Sequence, residues 1–263
     1  MTRISCIFAK FFALSALIFC VNVDALGWGQ KGHDVTCEIA SRHLNAKTRK
    51  AVKKLLEGKS MIYWSNWMDN ASHTPEYAYT KTWHYKNIDE GIEYAEAPLE
   101  PKGDVVTAIE QQIEVLKDRK SSFQSKRLAL KMLVHFMGDL HQPMHMGHKT
   151  DLGGNKWIVN YFGKDKNLHG IWDTDVLESG HKWSYTEWAD QVNRTTRKER
   201  KHICEGTIHQ WAEETYQITT QVYEGAPQGS KLSYDYVAQW TPVAEQQLLR
   251  GGLRLAYILN SIF

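Results

Sequence analysis

Cysteine is scarce in this chain, four in 263 residues, and no Cys-x-x-Cys pair occurs. That excludes a disulfide-dense scaffold and a sulfur-rich structural metal site. Long apolar runs are missing too. Phe11 to Val23 is the one sustained hydrophobic stretch, shorter than the roughly 20 residues that a membrane-spanning helix needs. Charge of one sign is not in excess, the formal net charge being +2. A protein that grips nucleic acid by lysine and arginine alone is strongly basic, so phosphate binding here would need bound cations. No Pro/Gly/Ser-rich linker, repeat or low-complexity tract divides the chain.

What the apolar stretch does provide is an export signal. Arg3 and Lys10 precede it, and Ala25-Leu26-Gly27 places small residues at the minus-three and minus-one positions of a cleavage site. Residues 1–27 are expected to be removed, leaving Trp28 as N-terminus and residues 28–263 as one catalytic domain with a formal charge of +1. The product is expected to be secreted or periplasmic, without a membrane anchor. Cys37 and Cys204 then remain, an even count in an oxidising compartment, so a Cys37 to Cys204 disulfide is expected, with two buried free thiols as the alternative. Asn70-Ala-Ser and Asn193-Arg-Thr are formal glycosylation sequons.

Apolar residues recur at three- and four-residue steps over His33 to Leu44, Lys47 to Leu56, Val105 to Lys117, Lys126 to Leu140, Tyr185 to Val192, Trp211 to Val222 and Pro242 to Leu259. Only Trp157 to Phe162 alternates like a strand, followed by a turn-like Gly163-Lys-Asp-Lys-Asn. The fold class is mainly α with at most a small β-hairpin. Gly251-Gly252 in the last helix marks close approach of another helix.

Histidine carries the chemistry. His135 and Asp139 stand four apart, as do His169 and Asp173, so each pair shares a helix face with Cβ atoms roughly 6 Å apart. His145 follows the helix that Pro143 ends, His33 lies five residues after Trp28, and Asp69 and His84 lie between tryptophan-rich stretches. Nitrogen and oxygen donors without sulfur suit a catalytic zinc cluster. A single His-xxx-Asp is more often an ion pair or cap; two of them with these neighbours make a metal site. His141 points off that face and is read as packing or support, and His43, His73, His148, His181, His202 and His209 are read as structural or surface residues.

These phrases, from Trp28-Gly-Gln-Lys-Gly-His33 through Trp67-Met-Asp69, Trp83-His84-Tyr85, His135 to His145, Gly153-Gly154-Asn155, His169 to Asp173 and Trp211-Ala-Glu-Glu, resemble the S1/P1 nuclease family over essentially the whole mature chain. The resemblance implies a single-domain, mainly helical fold of the phospholipase C/P1 nuclease type holding three zinc ions. It implies one zinc on Asp69, His84, His135 and Asp139, a second on His145, His169 and Asp173, and a third on His33, Asp139 and the amine and carbonyl of Trp28. Asp139 would bridge two ions, which a carboxylate can do and an imidazole cannot, with a zinc-bound hydroxide as nucleophile. Implied substrates are single-stranded DNA and RNA, cut to 5′-phosphate products, and 3′-nucleotides, handled by a monomer. Gly153, Asn155 and Asn87 are the implied substrate contacts. Fungal members have Asp where Asn87 stands and Arg where Ser72 stands, so substrate range is where this chain departs from them. Trp67, Tyr85 and Tyr161 are candidates for base stacking. The rival readings are a zinc-dependent phospholipase C, disfavoured by the short spacing from Trp28 to His33, and an inactive zinc-binding secreted protein.

Overall fold

The computed structural model describes residues 28–263; the expected signal sequence lies outside them. The order of elements is α1 (Gln30–His43), α2 (Ala46–Leu55), α3 (Met61–Trp64), α4 (Trp67–Ala71), a 3₁₀ segment Ala78–His84, α5 (Val105–Lys117), α6 (Phe123–Asp139), a 3₁₀ turn Pro143–Met146, β1 (Ile158–Tyr161), β2 (Lys164–Asn167), α7 (Leu168–Gly170), a π-helical stretch Ile171–Asp175, α8 (Val176–Gly180), α9 (Tyr185–Val192), α10 (Arg197–Ile203), α11 (Ile208–Gly225), β3 (Lys231–Leu232) and α12 (Tyr234–Ile262). The class is mainly α, as the periodicity predicts.

Local chemistry sets the helix starts. Asp104 accepts from the amides of Val106 and Thr107 while Thr107 returns a bond to the Asp104 amide, closing a capping box on α5. Ser122 caps α6 through the amide of Ser125. From Ala129 to Asp139 every residue of α6 is buried, so this helix is surrounded, and its last turns lie inside the protein rather than along its edge.

Two apolar clusters form around it. One gathers α5 and α6 with Met68, Leu255 and Leu259. The other gathers Trp28, Ile171, Trp172 and Trp240 with Val222 and Leu248. α1 and α12 tie the two together, with the close approach expected at the glycine pair: a Cβ on Gly252 would stand 2.6 Å from the Ile39 side chain and 2.8 Å from the Thr36 carbonyl oxygen. Gly252→Ala gains about 1 kcal/mol of helix propensity but overpacks against backbone, which costs about 1–3 kcal/mol. A net loss of up to roughly 2 kcal/mol is expected in denaturant melts; higher stability would refute the packing account.

Three expectations need correcting. The hairpin is the antiparallel pair β1 and β2, but β3 adds to β1 in parallel, giving a three-stranded sheet; a two-residue strand is too short to show alternation. The last helix begins at Tyr234 and runs through Pro242, because burying Tyr236, Val237 and Trp240 outweighs the one intrahelical bond that proline forfeits. The Cys37 to Cys204 disulfide is not formed: both are free thiols, Cys37 inside the first cluster with its Sγ on the Val134 carbonyl and Cys204 packed against the second. The free-thiol alternative is what the structure has.

Candidate metal centre

The seam between the two clusters is where the histidines and aspartates meet. α6 delivers His135 and Asp139 on adjacent turns, α1 delivers His33, α4 delivers Asp69, the 3₁₀ segment ends in His84, the turn after Pro143 carries His145, and α7 with the π-helical stretch presents His169 and Asp173. A π turn at a ligand-bearing stretch fits the frequent use of such bulges at functional sites. Donor atoms converge in three groups: Asp69, His84 and His135; His33, His135 and Asp139; His145, His169 and Asp173.

The spacing suits a shared cation. Zinc bonds of about 2.0–2.2 Å put the donors of a tetrahedral ion roughly 3.3–3.6 Å apart. His135 Nε2 lies 3.3 Å from Asp69 Oδ1 and 3.1 Å from Asp139 Oδ2, and His84 Nδ1 lies 3.0 Å from Asp139 Oδ2 and 4.0 Å from Asp69 Oδ1. The other carboxylate oxygen of Asp139 faces elsewhere, 3.4 Å from His33 Nε2. Thus the two oxygens of one side chain address two donor sets. In the third group His169 Nε2 and Asp173 Oδ2 are 3.4 Å apart.

Backbone carbonyls aim the rings. Nδ1 of His135 donates to Ser65 O at 2.6 Å, Nδ1 of His145 to His84 O at 2.5 Å, and Nδ1 of His169 to Gly153 O at 2.6 Å. With the proton fixed on Nδ1, each Nε2 presents its lone pair to the centre, the usual support for a metal-binding histidine. Ser65 is itself held, its Oγ donating to Asp34 Oδ1 at 2.6 Å. His33 Nε2, Asp139 Oδ1 and His145 Nε2 are buried without a hydrogen-bond partner among the described residues. Such atoms cost about 1–3 kcal/mol each unless something satisfies them, and a cation would.

Electrostatics points the same way. Burial alone would raise the Asp139 pKa, but the charges of His135 and His145 hold it well below the usual carboxylate range. Burial opposes charge on His135, yet Asp139 and Asp69 lift its pKa well above that of free histidine, so a positive charge is wanted between the two carboxylates. Asp173 is shifted the other way although His169 Nε2 stands 3.4 Å from it: burial, with the like charges of Asp69, Asp139 and Asp175, drives its pKa well up against a hydrogen bond from Gln142. The residues fit divalent ions.

Trp28 is fully buried in the second cluster, and the Gly29 amide donates to Asp173 O at 2.7 Å, which brings the start of the described chain to the ligand cluster. Beside it opens a cavity of about 540 Å³ lined by Gly29, Lys31, Asp34, Asp173, Thr174 and Tyr185.

A model of the S1/P1 nuclease family matches residues 28–263. The chain belongs to that family. It is similar to Endonuclease 2 of Arabidopsis thaliana, 32% identical over 268 residues that cover 90% of this chain and 91% of the relative. Nuclease S1 of Aspergillus oryzae is 27% identical, with 96% and 98% covered, and Nuclease P1 of Penicillium citrinum 26% identical, with 89% and 97% covered. This S1/P1 nuclease is therefore a hydrolase acting on phosphodiester bonds, in a metal-dependent family. No helix of the described residues is long and apolar enough to cross a membrane.

The expected substrate contacts fall at one edge of this centre. Leu152, Gly153 and Gly154 all have positive φ, and a Cβ on Gly153 would sit 2.9 Å from Met144 O and 3.1 Å from Asn87 Oδ1. Gly153 and Asn87 are thus neighbours, while the Asn155 amide is turned back onto Leu152 O at 2.9 Å. Of the stacking candidates, Trp67 and Tyr85 are half-buried, but Tyr161 is a core residue, 4% exposed, with its hydroxyl on Ser179 Oγ. Two supporting residues are not evident from the sequence pattern. Gly138 lets His33 reach Asp139, since a Cβ there would fall 2.5 Å from His33 Nδ1; a glycine in mid-helix beside Asp139 is the one signal it leaves. Gln142 donates to Asp173 Oδ1 at 2.5 Å, a long-range contact that no spacing announces. His141 is buried support, its Nδ1 on Met137 O and its Nε2 accepting from Arg254.

Proposed function

We propose that this chain is a secreted, monomeric, zinc-dependent nuclease that hydrolyses single-stranded DNA and RNA to 5′-phosphate products and removes phosphate from 3′-nucleotides. The observation that carries the proposal is the three-part set of converging nitrogen and oxygen donors, neighbours 3.0–4.0 Å apart, beside an open cavity. Asp69, His84, His135 and Asp139 would hold one zinc, His145, His169 and Asp173 a second, and His33, Asp139 and the amine and carbonyl of Trp28 a third. When bound, the ions supply an activated water and charge stabilisation for the phosphate oxygens. Asp139, whose two oxygens face different donor sets, would be shared by two of these ions. The carbonyls of Ser65, His84 and Gly153 hold three imidazoles in one tautomer, so no reorganisation is needed as charge develops on phosphorus. Gln142 fixes Asp173, which lines the cavity, and Gly153, Asn87 and Asn155 would meet the nucleobase. A recessed centre needs a base swung free of its stack, so single strands should react much faster than duplex.

The test pairs elemental analysis of the mature protein with end-labelling of products from single-stranded DNA, using lecithin as the control substrate. Three zinc ions per chain, 5′-phosphate ends and no action on lecithin are expected. One ion or none in active protein, or 3′-phosphate ends, would overturn the reading.

A further inference from the structure

The metal centre leaves unexplained a strongly basic segment of the chain. Between Arg194 and His202 stand Arg194, Arg197, Lys198, Arg200 and Lys201 against the single acid Glu199, a formal +4 within a protein whose total is +2. The remainder is therefore net −2, and α10 is one of two basic helices, the other being α2 with Lys47, Arg49, Lys50, Lys53 and Lys54. α10 buries none of its residues, and its structure rests on a capping box in which Thr196 and Glu199 exchange bonds. It contributes almost nothing to the core. This is also why the apolar period does not reveal it.

The cations are unspent. Arg197, Lys198 and Lys201 are exposed and make no ion pair among the described residues, and Arg200 bonds only the Thr195 carbonyl. Arg197, Arg200 and Lys201 line a groove of about 560 Å³ together with His43, Asn260, Tyr257 and one acid, Glu205, whose carboxylate meets His202 Nδ1 at 3.0 Å. Tyr257 is 53% exposed, an aromatic ring standing in solvent in the same groove as the basic residues. Guanidinium and ammonium groups sharing a groove with an exposed ring are the two elements of a single-strand contact: charge for the backbone and a face for a base.

Its position fits a substrate that also occupies the catalytic centre. His33 at one end of α1 lies in the metal cluster and His43 at the other end lines the groove, ten residues or roughly 15 Å apart at 1.5 Å per residue. α9 runs beside α1 in the same direction, with Tyr185 in the cavity next to Asp173 and Asp190 paired to Arg42 near the groove. The two cavities thus open at the two ends of one ridge.

We propose that the groove between α10 and the end of α12 is a second binding site for the phosphodiester backbone of single-stranded nucleic acid, used by strands long enough to reach from it to the metal centre. The proposal rests on the nuclease reading above. It gives a nearly neutral enzyme a local anchor for a polyanion, and it separates long substrates, which touch both sites, from short ones, which touch one.

The test uses the mature holoprotein and Arg197→Ala/Lys201→Ala, a double variant that removes two exposed side chains with no structural partners. Binding of a fluorescent 24-nucleotide phosphorothioate oligothymidylate, which resists hydrolysis, is measured against salt, and cleavage of a dinucleotide is measured alongside. The variant should bind the long strand several-fold more weakly. Its slope of log affinity against log salt should fall by about 1.4, since each single-strand phosphate contact contributes about 0.7. Its dinucleotide rate should be unchanged. Unaltered strand affinity and salt slope in a protein whose wild type cuts DNA would sink the groove alone. A wild type that neither cuts nor binds single strands would sink the nuclease reading and the groove with it. Loss of binding to phosphatidylserine vesicles with strand binding intact would assign the groove to a membrane surface and also overturn the proposal.

Discussion

Asp139→Ala should all but abolish cleavage of single-stranded DNA, with a fall of more than about a hundredfold. Losing a single electrostatic contact aimed at a transition state costs about 10²–10³ in rate, and this substitution touches two donor sets at once. Asp139 Oδ2 faces His84 and His135, and Oδ1 faces His33. Without the carboxylate, two cations would be left close together with no anion between them. Zinc content should therefore drop along with activity. Asn155→Ala is the contrast: its amide bonds the Leu152 carbonyl and no metal-donor atom, so as a proposed nucleobase contact it should change substrate affinity and base preference while metal content stays at the wild-type value. Measuring both variants by elemental analysis and steady-state kinetics decides the matter. Equal damage from the two changes, or full zinc content in Asp139→Ala, would show that the cations are not held as proposed.

A chain beginning even one residue before Trp28, for instance with a retained Met, should fold and yet lose most of its activity. An α-amine has a reference pKa of about 8 and becomes a good donor once a nearby cation depresses it, whereas a peptide nitrogen has no lone pair to offer. The structure favours this sensitivity. Trp28 is fully buried, a Cβ on Gly32 would meet its ring at 2.8–3.0 Å, and Gly29 is tied to the Asp173 carbonyl. No slack remains for the start of the chain to retreat and let an added residue take the position. Preparing the extended and the correctly processed protein side by side, and comparing zinc content and rates on single-stranded DNA, tests it. Equal zinc and equal rates would exclude Trp28 as a ligand.

Much of the centre is legible in the amino-acid sequence. His135 with Asp139, and His169 with Asp173, announce shared faces because the helical repeat is local. Gly251-Gly252 announces a close helix crossing for the same reason. What stays hidden depends on contacts between distant segments or on backbone atoms. The carbonyls of Ser65, His84 and Gly153 have no side-chain signature. Gln142 reaches Asp173 across 31 positions. Tyr161 looks like a stacking residue because exposure cannot be read from one strand, whereas the added partner β3 and the Ser179 hydroxyl bury it. Cysteine parity suggests a disulfide, but parity carries no distance, and the two thiols belong to different apolar clusters.

The placement of the donors at the seam between those clusters bears on durability. Phe136, Met137 and Leu140 belong to one cluster and Trp28, Ile171 and Trp172 to the other, so an ion held there is a rivet through two plates. His33, His135, Asp139 and His145 are fully buried, so an ion among them would leave only when those side chains part. Metal loss is then governed by how often the seam breathes open, and at high chelator concentration the inactivation rate levels off at that opening rate. For the secreted zinc enzyme proposed above, long survival where free zinc is scarce would follow from this slow leakage rather than from unusually tight equilibrium binding.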